Sequence, residues 1–305
     1  MQDRRDQQPR ADDGLPGRPL PVAYLDRVLA EDTAKGYKRQ MLELLHPRDG
    51  DWVLDIGCDT GDDTHAIARL VAPTGKVIGI DSDARMLSEA WRRAAPLRLP
   101  LGFRVGDAQR LDFEPATFSA CRSDRVWQHL RDPEAALAEV VRVARPRARI
   151  VIADVDRDLL AIDIEPRTVT RRIVAWICDR RVAHGWSGRR LPGLFTRAGL
   201  EDVTVWPSSM VTTDRTAADR LWQLRNAADG ARARRRPSPA TSGRRGRPPW
   251  TGLRHASSPR SRASSFEASN REDADDWRGH VGETGYRRHL WPGMTRTITR
   301  SIGSS

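Results

Sequence analysis

Lysine is almost missing from this chain of 305 residues: Lys35, Lys38 and Lys76 stand against forty-nine arginines. Nothing in protein physics demands that ratio, and it reads as the mark of GC-rich coding. Cysteine is scarce as well. Cys58, Cys121 and Cys178 are far apart and odd in number, which fits neither a disulfide framework nor a zinc cluster and suits a reducing cytoplasm. No metal site is expected. No run approaches the roughly 18 apolar residues of a membrane span, and the first twenty residues lack the apolar segment of a secretory signal. A cytoplasmic protein without a membrane span is the expectation.

The charge that is present is unevenly placed. The formal net charge is +11, and residues 231–305 hold sixteen Arg against six acids, so nearly all of it lies there and residues 1–230 are close to neutral. Three regions follow. Residues 1–21 are polar, carry Pro and Gly, and are expected to be disordered. Residues 22–230 carry regular patterning. Residues 231–305 form an Arg/Ser/Pro-rich tail of low expected order. Within it, 231–270 contain ten Arg, eight Ser, five Pro and one acid, the composition that GC-rich DNA gives when read out of frame. A frameshift near codon 231 would account for it. The basic stretch 232–262 would contact nucleic acid through phosphates, without sequence preference and with strong salt dependence. Its few aromatics make such binding incidental to a solvated tail.

Between these flanks, short apolar runs alternate with helical periodicity. Strands are expected at 52–56, 76–80, 101–105, 118–122, 149–155 and 203–211. Helices are expected at 24–45, 64–71, 84–94, from Pro133 to Ala144, at 167–183, at 191–198 before Gly199, and at 217–228. Leu137, Val140, Val141 and Ala144 recur at i, i+3, i+4 and i+7. This alternation predicts an α/β fold, a doubly wound and mostly parallel sheet with helices on both faces.

The chemistry-bearing residues sit at three successive strand ends. The first strand runs into Asp55-Ile56-Gly57-Cys58-Asp59-Thr60-Gly61-Asp62, a glycine turn that lets a ligand approach the backbone before a helix. The second ends in Asp81, placed to accept both hydroxyls of an adenosine ribose. The third ends in Gly106-Asp107-Ala108, where an acid can accept a bond from an adenine amino group. Each feature alone has a blander reading, and Asp107 in particular could cap the next element. All three in order point to a nucleotide-like ligand. The spacing of Gly57 and Gly61 does not match the dinucleotide fingerprint G-x-G-x-x-G.

The pattern instead resembles the class I S-adenosylmethionine-dependent methyltransferases over about residues 22–230. Val53 to Gly61 looks like their first motif, Val77 to Asp81 like the acidic second-strand motif, and Phe103 to Ala108 like the adenine-side motif. Arg122 to Leu130 looks like the stretch after strand four, and Arg145-Pro146 like the turn before strand five. Within the class the chain is most similar to small-molecule enzymes related to the menaquinone and ubiquinone C-methyltransferases. The resemblance implies a Rossmann-like sheet of order 3-2-1-4-5-7-6 with an antiparallel final strand. It implies S-adenosylmethionine as cofactor, held by Asp55, Gly57, Gly61, Asp81, Asp107 and Ala108, and in-line methyl transfer to an O, N or C atom of a small-molecule acceptor. His129, just after strand four, is the candidate base, with packing beside Leu130 as the alternative. Arg122 and Arg125 either bind an anionic substrate or pair with neighbouring acids. Cys58 is read as an apolar filler of the turn, and His184-Gly185-Trp186 as a substrate lid or a helix exit.

The chain departs from the family in three places. Asp59 stands where the family has glycine, so a side chain crowds the ligand and its charge falls near the ligand's carboxylate. Arg147-Ala148 replaces the usual Gly-Gly, in a turn that calls for φ > 0. The tail offers only Thr295 to Ile302 as a closing strand. These departures leave two other functions in view, a catalytically decayed relative and an RNA methyltransferase using the basic tail.

Overall fold

The computed structural model describes residues 22, 23, 26, 32–233 and the backbone of 294–299. The expectations for 1–21, for the basic stretch 232–262 and for nearly all of the tail lie outside the described residues. In chain order the elements are α1 (Asp32–Leu45), β1 (Trp52–Ile56), α2 (Asp62–Val71), β2 (Lys76–Asp81), α3 (Ala84–Ala94), β3 (Leu101–Val105) and β4 (Phe118–Asp124). There follow a 3₁₀ turn (Trp127–His129), α4 (Pro133–Val143), β5 (Ala144–Val155), a second 3₁₀ turn (Arg157–Leu159), α5 (Arg167–Arg180), α6 (Ser187–Arg197), β6 (Thr204–Ser209), α7 (Arg215–Trp222), α8 (Leu224–Ala233) and β7 (Met294–Thr299).

The first five strands are parallel in the order β3-β2-β1-β4-β5, as expected from the sequence. Beyond β5, the backbone of β7 runs antiparallel to both β5, where Ile152 pairs with Ile298, and β6, where Thr204 pairs with Thr299. The sheet is covered on both sides, and alternation along each strand sorts its residues. Leu54, Ile56, Ile150 and Ile152 face one core with Leu137 and Val140 of α4 and Leu191 and Phe195 of α6. Val53, Ala120, Val151 and Ala153 face the other, with Tyr37, Met41 and Leu45 of α1 and Ile67 and Val71 of α2. The same alternation puts Asp55, Arg122 and Asp124 on the α1/α2 face, at the carboxyl ends of the central strands.

Several boundaries differ from expectation for local reasons. β5 begins at Ala144 and includes the expected turn, where Arg147 takes φ 66°. The single helix expected over 217–228 is two, broken at Gln223, which takes φ 50°. Asp219 holds that break: its carbonyl accepts from the Gln223 N–H at 2.7 Å and its carboxylate from the Arg225 N–H at 2.9 Å. Gly199, with φ 72°, follows α6 as a C′ residue. No helix among the described residues is long and apolar enough to cross a membrane.

Gly61 joins the fold to the site. It caps α2 at φ 81°, and a Cβ there would lie 2.7 Å from Phe103 Cζ and 3.1 Å from Ala90 Cβ. Gly61→Ala should therefore lose roughly 1–3 kcal/mol of stability through backbone strain and overpacking. A shift in the urea midpoint measures it, and an unchanged midpoint would refute this packing account.

Candidate functional site

The turn between β1 and α2 is held by the neighbouring strand. Gly57 and Cys58 donate their N–H groups to the Ile80 carbonyl at 2.8 and 3.0 Å. Gly57 has φ 68° and no room for a side chain, because a Cβ would overlap Val126. Asp59 takes φ 47° and donates its N–H to Asp81 Oδ2 at 3.0 Å, while Asp83 N–H reaches Asp81 Oδ1 at 2.9 Å. Each Asp81 oxygen keeps capacity for a further donor. Burial pushes the Asp81 carboxyl above its ordinary range, and these two backbone bonds oppose the rise.

Below the turn lies a cleft open to solvent, lined by Lys38, Gly57, Cys58, Asp59, Thr60, Asp62, Asp63, Arg122, Asp124 and Arg125. Its inner wall is an ionic network. Arg122 Nη1 donates to Asp55 Oδ1 at 2.6 Å and Nη2 to Asp63 Oδ2 at 2.7 Å, with Asp124 Oδ2 at 3.7 Å. Lys38 Nζ donates to Asp63 and lies 3.0 Å from Asp124 Oδ2, which also accepts from Tyr37 Oη at 3.0 Å. Thr64 Oγ1 donates to Asp55 Oδ2 at 2.6 Å.

Burial favours the neutral forms of Lys38, Asp63 and Asp124, and the opposite charges around them outweigh it. Burial depresses the Lys38 ammonium, but Asp124 and Asp63 outweigh it and hold the group above its ordinary value. Burial likewise favours neutral Asp63, and Arg122 and Lys38 outweigh it and hold that carboxyl well below the usual range. Asp59 has the opposite fate. Desolvation and the neighbouring Asp81 push its carboxyl up to about 7, against the pull of Arg125 and Lys38. Asp124 Oδ1 is buried and accepts no hydrogen bond among the described residues, with Arg125 Nε 3.6 Å away.

The structure brings some of the sequence candidates together and leaves others apart. Asp55, Gly57, Gly61 and Asp81 all frame the β1–α2 turn. Arg122 is 3 % exposed, pairs with Asp55 and Asp63, has Asp124 Oδ2 at 3.7 Å, and is among the residues that line the cleft. Arg125, at φ 59°, lines the cleft with its Nε 3.6 Å from Asp124 Oδ1. Asp107 is exposed and accepts from the Gln109 N–H and Nε2 at 2.9 and 3.1 Å, while Ala108 is buried in the core. Neither lines the cleft.

His129 ends the 3₁₀ turn after β4, outside the cleft lining. Desolvation, then the charges of Arg157, Arg125 and Arg181, push its ring down to about 4. Cys58 is buried, its thiol raised well above the ordinary value, with Sγ where a Gly79 side chain would go. His184 donates its N–H to the Gln128 carbonyl, and Trp186 is exposed beneath Arg189 and Arg190.

Sequence reasoning missed Tyr37, Lys38, Asp63 and Asp124 as wall residues. Only the rarity of lysine singled out Lys38. The other three needed the register that sets α1 across the ends of β1 and β4.

Comparisons with known proteins agree with this geometry. Residues 47–191 match the family model described as a methyltransferase domain. A 37.1 kDa protein in a transposon of Streptomyces fradiae is 40 % identical over 206 residues, 68 % of this chain and 59 % of that one. The demethylmenaquinone methyltransferase of Symbiobacterium thermophilum is 30 % identical over 135 residues, 44 % of this chain and 54 % of that one. The chain thus spans little more than half the length of the curated relatives it matches. The YcgJ protein of Bacillus subtilis shares the fold at TM-score 0.54 and 15 % identity, covering 89 % of this chain and 99 % of that one. So does Haemonchus contortus phosphoethanolamine N-methyltransferase 2, in complex with S-adenosyl-L-methionine, at TM-score 0.50 and 16 % identity, over 94 % of this chain and 61 % of that one.

The network makes a direct prediction. Arg122→Met would leave Asp55 without its cation, Asp63 with Lys38, and Asp124 with Lys38 and Arg125. Removing one partner of a buried ion pair costs about 3–5 kcal/mol, so the variant should melt well below wild type. Melting within a degree of wild type would show that the carboxylates do not depend on Arg122.

Proposed function

We propose that this chain, which belongs to the class I S-adenosylmethionine-dependent methyltransferases related to the menaquinone methyltransferases, transfers a methyl group to a small-molecule acceptor. The observation that carries the reading is the β1–α2 turn, tied through the Asp59 N–H to an acid at the end of β2. In parallel sheets of this kind ligands bind beyond the carboxyl ends of the strands, and here those ends hold the turn, Asp81 and the cleft together. The cleft also fits S-adenosylmethionine chemically. Asp124 Oδ1 offers an acceptor for the ligand's ammonium, and Arg125 supplies positive charge for its carboxylate.

Asp81 accepts from the ribose hydroxyls, and Gly57 and Gly61 keep the backbone approachable. Asp55 acts indirectly, by fixing Arg122. Asp107 and Ala108, at the end of β3, bound the adenine side. When bound, S-adenosylmethionine supplies a methyl group on a positively charged sulfur. The chain contributes alignment and a fixed field, which supply most of the catalysis in such displacements. His129 is neutral above about pH 4 and takes the proton of an acceptor hydroxyl or carbon acid, as its weak basicity allows. Arg125 orients an anionic acceptor.

Titration of S-adenosylhomocysteine into the full chain tests the reading. Micromolar binding is expected, weakened at least about tenfold by Asp81→Ala through loss of charge-assisted bonds to the ribose. A folded wild-type protein that takes up no ligand would overturn it.

A further inference from the structure

Three cations (Lys38, Arg122, Arg125) and four carboxylates (Asp59, Asp62, Asp63, Asp124) line the cleft. Asp62, Asp63 and Asp124 are paired with Arg93, Arg122 and Lys38, whereas Asp59 forms no ion pair among the described residues. Its ionisation therefore adds a negative charge that no neighbouring cation is paired with. We infer that Asp59 is the charge-selecting residue of this cleft, favouring the cationic sulfonium form of the cofactor over the neutral thioether that remains after methyl transfer. The inference rests on the cofactor assignment above and goes beyond it by giving one residue a specificity role.

Three observations place Asp59 there. Its backbone is in the left-handed region at φ 47°, which Asp and Asn adopt more readily than other non-glycine residues. Its N–H is committed to Asp81 Oδ2, which fixes the turn, and the residue lines the cleft. The cations nearby are already claimed: Arg122 by Asp55 and Asp63, and Lys38 by Asp63 and Asp124. The ligand's ammonium and carboxylate are common to both forms, so any repulsion between Asp59 and that carboxylate cancels in the ratio of their affinities. The sulfonium charge does not cancel.

The groups that set the Asp59 charge come from every element around it. Asp81 of β2 and Asp124 of β4 raise its pKa, and Arg125 and Lys38 of α1 lower it. Asp62 and Asp63 of α2 share the lining, and the Cys58 thiol stays protonated. Because the Asp59 carboxyl is pushed up to about 7, its charge is present at pH 8 and largely lost by pH 6. A cationic ligand draws that pKa down, so binding it near pH 7 expels a proton, whereas the neutral thioether form draws it down less.

Calorimetric titration of S-adenosylmethionine and S-adenosylhomocysteine into the full chain, Asp59→Asn and Asp59→Gly tests this at pH 6 and pH 8, and at pH 7 in two buffers of different ionisation enthalpy. At pH 8 wild type should prefer the sulfonium form by roughly tenfold more than either variant, the effect of one charge at partly screened separation. At pH 6 the three proteins should converge, and near pH 7 only wild type should release a proton with the sulfonium ligand. Equal loss of both ligands in the variants, with the ratio intact at pH 8, would reduce Asp59 to a structural residue and overturn the inference. A wild-type ratio that does not change between pH 6 and pH 8 would also overturn it. Absence of binding by either ligand to wild type would instead overturn the cofactor assignment and the inference with it.

Discussion

A guanidinium buried in a parallel sheet cannot stand alone, and much of this site follows from that constraint. Arg122 sits beside Asp55 in register across β4 and β1, so strand pairing itself brings the two charges together. Taking either out of water costs several kcal/mol unless the geometry compensates. Compensation comes from Asp63 at the start of α2 and Asp124 at the end of β4. Those acids exceed what one arginine can neutralise, and Lys38 and Tyr37 reach in from α1 to complete the set. One buried cation thus ties α1, α2, β1 and β4 to a common point beneath the glycine turn. The wall is preorganised because each member would be unstable without the others.

That dependence also explains what the sequence could and could not disclose. Strand ends carrying Gly57, Gly61 and Asp81 were legible because the turn and the acid have short-range requirements: φ > 0, room for a close backbone, and a carboxylate one strand over. The left-handed turn at Arg147 was legible for the same reason. The partners of Arg122 were not, since its choice between substrate and carboxylate depends on which face of β4 it occupies and what crosses there. Period-2 alternation puts Ala120, Arg122 and Asp124 on one face, but only the packing of α1 and α2 makes that face the inner wall. Asp107 poses a different difficulty. Its local bonds to Gln109 are those of a capping acid, and sequence alone cannot separate a cap from a ligand group when both need an acid at a strand end. At Gln223 the apolar pattern continued through a break that a single side chain, Asp219, imposes.

The two sides of the proposed active site differ in charge, and the difference bears on how a methyl acceptor would be activated. Around the glycine turn carboxylates prevail, which suits a cationic sulfur. Around His129 the neighbouring charges are Arg125, Arg157 and Arg181. Those arginines help push the imidazole down to about 4, which makes it a poor proton acceptor at neutral pH. The same arginines would stabilise an anion placed beside them, while burial, the larger influence on this ring, would oppose the ionisation of an acceptor hydroxyl there. The cations weaken the base and strengthen the acid by comparable amounts, because both respond to one potential. An acceptor already acidic in solution would then need little from His129 beyond orientation, whereas an aliphatic alcohol would gain too little from either. On the proposed reading this charge pattern would suit acceptors already acidic in solution, and Arg125, which lines the cleft and also acts on His129, is the cation common to the two regions.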